Sequence, residues 1–406
     1  MSMPVRPCIN EALPTEVFSV IFEEHAKLEW RAPLIDGLVC QQWRQTILRS
    51  PRAWAYLEIR DDLRSDPFVV CKQWLGRSGT APLHIQIHTH WDLKQILDLH
   101  YKRTKSLTVR QALSSFLELE NQSFPILQSL TIDGCGIYHP DGPTFRLSTW
   151  HAMPALRSLR LRNISVKILL SKAFPALRVL ALSQVEGYDC IIQNSYHSLT
   201  TLMLDEIQVP STPETLEFPS LNFLSLLGVK GLKSRMSVPA LTTYHEGCTP
   251  KEESFSMPLP SLTEYGIYEI YTDPLRDATR LHQCYPNLSL ISLRARPSSV
   301  KALLHFLSSQ PTSLPMLRIL AVEFPFERIG LSKEDKESMM NAVSVRNTAT
   351  SVEMELCFDG KLRAPLYFAI VRVYIKYGRG KLTSIFRRRM KPIEELSYVL
   401  SLWLGC

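Results

Sequence analysis

The stretch LVCQQWRQTILRSPRAWAYLEI, residues 38–59, sets Cys40 beside apolar residues and ahead of two tryptophans. A cysteine attacks as a nucleophile when a neighbouring base or positive charge favours its thiolate. Leu38, Val39 and Gln41 offer neither, so Cys40 reads as a small apolar residue on an amphipathic helix. The segment HIQIHTHW puts His84, His88 and His90 on one face of a strand, where imidazoles could hold a metal. No cysteine or carboxylate accompanies them, and Cys135 with His139 is a single C-x3-H, too little for zinc. RRRMK (387–391) is basic enough for a nuclear signal or an acidic contact, and equally suits the solvated end of a capping helix. GxxxxGKS/T, GxGxxG, HExxH and GxSxG are all absent. The expectation is a non-enzyme with no cofactor and no metal.

Composition is ordinary for a soluble globular protein. The chain has 406 residues, 45% hydrophobic and 21% charged, enough for two or three domains with a large core. Its net charge of +7 is uneven: residues 361–406 hold ten Lys or Arg and two Glu, so the rest is close to neutral. A neutral body argues against nucleic acid as partner. No apolar run reaches the ~18 residues that span a bilayer, and the first residues lack the apolar core of a signal peptide. Nine cysteines without a CxxC suit reduced thiols. No membrane partner and a cytoplasmic or nuclear location are expected.

The strongest pattern is internal repetition. FPILQSLTI (124–132), MPALRSLRL (153–161), FPALRVLAL (174–182), YHSLTTLML (196–204) and FPSLNFLSL (218–226) are followed by VPALTTYHE (238–246), LPSLTEYGI (259–267), YPNLSLISL (285–293) and LPMLRILAV (314–322). All nine carry leucine at the fourth place, from Leu127 to Leu317, at intervals of 20 to 29 residues; eight carry proline at the second. The last part of each copy alternates with period two, as a half-buried strand requires. The proline sets an extended approach and keeps helix out. One such unit cannot bury its apolar face alone, so neighbours must stack. PLHIQI (82–87) and KSLTV (105–109) extend the pattern, and SVEMEL (351–356) follows a helix over 331–343 capped by Ser332. DPFVVCKQWLGRSG (66–79) predicts a helix with Asp66 as cap and Pro67 in the first turn.

These nine copies resemble the leucine-rich repeat family over at least residues 124–322. One feature departs from it. The family places Asn or Cys three residues after the last strand leucine, whereas among Cys135, Ile164, Val185, Ile207, Val229, Ile270 and Arg296 at that position here only Cys135 fits. The copies near 238–267 also degrade, with Tyr244 and Glu246 where leucines belong. An irregular solenoid is the expectation, closed by a cap or tail over 361–406 in which APLYFAIVRVYIKYG (364–378) covers the open end.

Residues 13–57 follow another rule. Pro14 suits a first helical turn, and Val17, Phe18, Ile21 and Phe22 recur at helical spacing. Leu34, Leu38, Val39, Gln42, Trp43 and Ile47 predict a second helix, and Ser50-Pro51 opens a third short turn carrying Trp54 and Leu57. Three small helices cannot form a sufficient core without docking. LPTEVFSVIFEEH with the Val-Cys-x-x-Trp and Pro-x-x-Trp that follow resembles an F-box, over roughly residues 9–58. The full expectation is an α/β solenoid class: a small all-α F-box module at 9–58, an irregular leucine-rich-repeat solenoid at 59–360, and a basic cap or tail at 361–406.

The resemblance implies a substrate receptor of a Skp–cullin–F-box ubiquitin ligase. Its box would dock the Skp-type adaptor, and through it a cullin, while the repeats hold an unidentified protein target. An interaction scaffold working outside ubiquitination is the alternative. Carried over, the adaptor-facing group is Leu13, Pro14, Ile21, Phe22, Leu38, Val39 and Cys40, with Trp43 and Trp54 inside the box or at its joint. Outward strand positions would meet the target: Arg160, Arg162, Asp205, Tyr268, Arg294 and Glu323, with Arg157 near the first two.

Overall fold

The computed structural model describes residues 13–60, 67–88, 99–110, 123–134, 145–146, 153–167, 174–186, 189–207, 215–229, 231–247, 259–267, 281–323 and 332–358. These residues form two compact units, one built of residues up to 177 with 185–194, the other of 178–184 with those from 195 on. Each is a length of parallel β-solenoid in which every turn contributes a short strand.

The first unit opens with α1 (Thr15–Leu28), α2 (Ala32–Asp36), α3 (Gln41–Leu48) and a 3-10 turn at Pro51–Trp54. The single helix expected from Leu34 to Ile47 is therefore two. The chain turns at 37–39, where Leu38 N donates to Ile35 O and Val39 N to Asp36 O, both at 3.1 Å. Gly37 closes α2, and Cys40 is extended, its Sγ accepting from Trp43 N at 3.5 Å as the N-cap of α3. A poor helix former followed by a side-chain cap is what ends one helix and starts the next. Pro14 precedes α1 rather than lying in its first turn, and its carbonyl accepts from Val17 at 3.1 Å.

The module closes on its own small core. Phe18 and Phe22 stack at 6.0 Å between centroids, and Trp43 meets them at 5.5 and 5.2 Å. Ala26, Leu34 and Ile47 are buried with them, and His25 Nδ1 reaches Asp36 at 2.9 Å, tying α1 to α2. Tryptophans make the joint to the strands. Trp54 donates to Ile47 O at 2.9 Å and meets Trp74 of α4 (Pro67–Arg77) at 4.8 Å. Trp74 donates to Tyr56 O at 3.0 Å, and Trp30 lies 5.1 Å from it. Strands β1 (Tyr56–Arg60), β2 (Leu83–His88), β3 (Thr104–Arg110), β4 (Ser129–Asp133) and β6 (Ser158–Lys167) pair in that order, all parallel, and the short β5 (Phe145–Arg146) joins the far end of β6. Leu57, expected in the third helical turn, belongs to β1.

In the second unit β7 (Val179–Glu186, to residue 184), β8 (Thr201–Asp205), β10 (Phe223–Leu227), β12 (Thr243–Gly247), β13 (Glu264–Ile267), β14 (Leu290–Arg294), β15 (Ile319–Glu323) and β16 (Glu355–Phe358) form a parallel ladder. The two-residue strands β9 (Leu216–Glu217) and β11 (Met236–Ser237) pair separately. The connections hold α6 (Pro297–Ser309) and α7 (Lys333–Ala349), whose cap Ser332 accepts from Asp335 N at 3.0 Å, while α5 (Asp189–Ser195) belongs to the first unit up to residue 194.

All nine repeats become strands starting two residues after the repeated leucine, and each of those leucines is buried. The proline occupies the second place of a tight turn rather than an extended approach. The leucine N–H donates to the carbonyl just before the proline, at 3.2 Å for Leu127 to Phe124 and 3.0 Å for Leu317 to Leu314. Proline's fixed φ suits that corner.

Two devices stand where the family's Asn or Cys would be. Asn163 within β6, Gln184 within β7, Glu206 just after β8 and Gly228 just after β10 take a φ of about +50° to +60°, and the following Ile164, Val185, Ile207 and Val229 are buried. Arg296, at the corresponding place further on, is exposed. At the start of the strands a hydroxyl ladder appears. Thr200 Oγ1 donates to Arg178 O, Thr242 Oγ1 to Asn222 O, Thr263 Oγ1 to Thr242 O and Ser289 Oγ to Thr263 O, between 2.9 and 3.3 Å. Cys135, His139, His90, Asp66, Ile270 and the tail 361–406 lie outside the described residues.

Candidate functional site

Two surfaces carry the residues singled out by the sequence: the outside of the helical module and the outward rows of the strands. On α1 the apolar residues divide between two stripes. Phe18, Phe22 and Ala26 turn inward, while Val17, Val20, Ile21 and Leu28 stay in solvent. Val17 is 40% and Ile21 45% exposed. The turn 37–39 adds Leu38 and Val39, 54% and 60% exposed. Leu13 and Pro14 are exposed as well, and Cys40 is half-buried.

Phe22 is the correction within this group. Expected to face an adaptor, it is 1% exposed and held between Phe18 and Trp43. Adjacent apolar positions on one helix straddle the boundary between its stripes, and the larger rings of Phe18 and Phe22 fill the interior. Trp43 is part of that core and Trp54 part of the joint. Val17, Val20, Leu28 and Leu48 were missed; each is an exposed apolar side chain on α1 or α3.

The outward strand rows follow from register. In the first unit Ser106, Ser129 and Ser158 are aligned, then Thr108, Thr131 and Arg160, then Arg110, Asp133 and Arg162. Arg162 lies 3.5 Å from Asp133. Burial lowers the Arg160 guanidinium below its ordinary pKa. Toward β1 the ring of Tyr56 stacks on His84 at 4.6 Å, and burial, with help from Lys105 and Lys27, pushes His84 down to about 4. Burial would raise Glu58, but hydrogen bonds from His88 and Arg60 outweigh it and hold its carboxyl below the usual range. His84 and His88 share a face, as the register partners of Tyr56 and Arg60 on β1.

Asp205 belongs to the second unit, where Ser183 Oγ donates to its carboxylate at 2.9 Å. Arg294 and Glu323 are register partners on β14 and β15, and Tyr268 lies outside the described residues. Arg160 and Arg162 belong to the first unit, and Asp205, Arg294 and Glu323 to the second. The degraded repeats hold a feature that strand periodicity does not show. Glu246 points inward and receives Lys233 Nζ, Tyr265 OH and Tyr244 OH, the last at 2.8 Å. Lys233 is 3% exposed and sits 5.2 Å from the centre of the Tyr244 ring. Burial first, then Glu246, raises the Tyr244 phenol well above its ordinary pKa. A buried carboxylate saturated by a cation and two phenols is a structural node.

Compared with protein-family models and with curated proteins, the chain matches none. Among the described residues no three His, Cys, Asp or Glu gather as metal ligands would, and no helix is long and apolar enough to cross a membrane.

Proposed function

We propose that the chain is a substrate receptor of a Skp–cullin–F-box ubiquitin ligase, with α1–α3 docking a Skp-type adaptor and the strand faces holding a target protein. The observation that supports this most is the divided stripe of α1. The module completes its own core with Phe18, Phe22 and Trp43 and still leaves Val17, Ile21, Leu38 and Val39 in water. Apolar side chains grouped on one small module suit a protein partner. In this reading the ligase's other subunits supply the chemistry, and the chain contributes proximity.

The test is co-purification with a Skp-type adaptor. Val17→Asp/Ile21→Asp is expected to abolish the complex while shifting the unfolding free energy by less than ~0.5 kcal/mol, as surface changes do. Phe22→Ala should instead cost about 3–5 kcal/mol of stability by emptying the aromatic core. Retention of the adaptor by a folded Val17→Asp/Ile21→Asp variant would sink this assignment.

A further inference from the structure

The exposed apolar residues of the helical module come from two segments. Val17 and Ile21 stand on α1, and Leu38 and Val39 on the turn between α2 and α3. They form one surface only while that turn keeps its place against α1. α2 reads APLID, and Asp36, its last residue, is its one polar side chain. The Asp36 backbone carbonyl accepts from Val39 N at 3.1 Å, so this residue begins the turn that presents Leu38 and Val39. Asp36 is itself buried, 8% exposed. Among the described residues its carboxylate has one partner, His25 of α1, whose Nδ1 donates to Oδ1 at 3.1 Å and to Oδ2 at 2.9 Å. The far end of the turn is held separately, by the Cys40 cap of α3 and by Trp43 against Phe18 and Phe22. A buried carboxylate stripped of its donor bears the full cost of its desolvation.

We propose that His25 is a positioning residue for the adaptor surface: by holding the Asp36 carboxylate it fixes Leu38 and Val39 relative to Val17 and Ile21. This rests on the reading of α1–α3 as the adaptor-docking module and adds a residue that acts through another. The bond is charge-assisted, the stronger kind, and joins α1 to the one polar side chain of α2. Without it the carboxylate turns toward water, and the turn that begins at its carbonyl moves with it. A docking surface that must first be ordered binds more weakly than one already in place.

Two measurements on the full chain test it: titration with a purified Skp-type adaptor, and amide hydrogen exchange of Leu38 and Val39 in the free protein. In His25→Leu the adaptor affinity is expected to fall roughly tenfold or more. The Leu38 and Val39 amides should exchange roughly tenfold faster, while those of Phe22 and Ala26 in α1 keep their native rates. His25→Asn, whose side-chain amide offers a donor near the place of Nδ1, should bring affinity and exchange most of the way back. His25→Leu/Asp36→Asn buries no charge; it covers the case of an unfolded single variant and should behave as His25→Leu does. Native affinity or native exchange in a folded variant lacking the imidazole, or a His25→Asn variant as weak as His25→Leu, overturns this proposal and leaves the docking reading standing. A native chain that binds no adaptor overturns the docking reading and this proposal with it, whatever the exchange rates show.

Discussion

The ring of His245 lies 2.6 Å from where a Cβ on Gly266 would stand. The two residues are register partners on β12 and β13, and His245 is 1% exposed, edge-on to Phe223 at 5.1 Å with its Nε2 3.3 Å from Glu264. Gly266 is therefore held to glycine by a neighbour's ring rather than by backbone conformation. Gly266→Ala is expected to cost about 1–3 kcal/mol, the usual penalty for overpacking. In Gly266→Ala/His245→Ala the penalty attributable to the methyl group should vanish. Urea unfolding of the four members of this cycle measures the coupling, and additive single effects would show the two residues to be independent.

Glu246 and Lys233 form a buried ion pair in the second unit. Lys233→Met alone leaves a carboxylate inside the solenoid and should cost about 3–5 kcal/mol, whereas Lys233→Met/Glu246→Leu should recover most of that loss. Tyr244 and Tyr265 lose their acceptor in the double variant, so recovery stops short of complete. Denaturant midpoints of the single and double variants decide it. A double variant no more stable than the single would show that the node is needed for the strands to pair.

His84 gives the fold a dependence on pH. Its folded-state pKa of about 4 lies below the ordinary 6.5, so the unfolded chain takes up its proton first as pH falls. The associated stability is full above about 6.5 and is lost as pH drops through the folded value near 4. His84 retains contact with water, so the loss is expected at roughly 1–2 kcal/mol after allowance for screening. Thermal unfolding of the protein and of His84→Gln at pH 7.5 and pH 5 tests it: the gap between the two pH values should narrow in the variant. An unchanged gap would place the sensitivity elsewhere.

Much of the strand architecture was legible because one leucine marks each turn. From Leu127 to Leu317 the strand begins two residues later, with a tight turn before it. The site was less legible, for reasons particular to its residues. Val17 and Phe18 are both apolar and adjacent on α1, and spacing alone cannot tell which of two neighbouring stripes turns inward. Leu38 fits a helical period with Leu34, yet Gly37 and the Cys40 cap break the helix between them. Glu246 violates the leucine pattern because its partner, Lys233, comes from the connection before the strand, and no strand periodicity relates the two. The hydroxyl ladder was visible as Thr or Ser after the repeated leucine, but only the acceptor carbonyls give those residues a purpose.

That ladder has a direction. Thr200, Thr242, Thr263 and Ser289 each donate to a carbonyl of the turn made before their own. The backbone N–H groups beside them do the same, as Thr243 to Asn222 and Leu290 to Thr263. During synthesis, which delivers the chain N-terminus first, every acceptor of this hydroxyl ladder exists before its donor emerges. A solenoid wired this way can lengthen one turn at a time on the ribosome, each new strand anchoring its start on the turn before it, while strand-end donors such as Glu206 N and Gly228 N await the turn that follows.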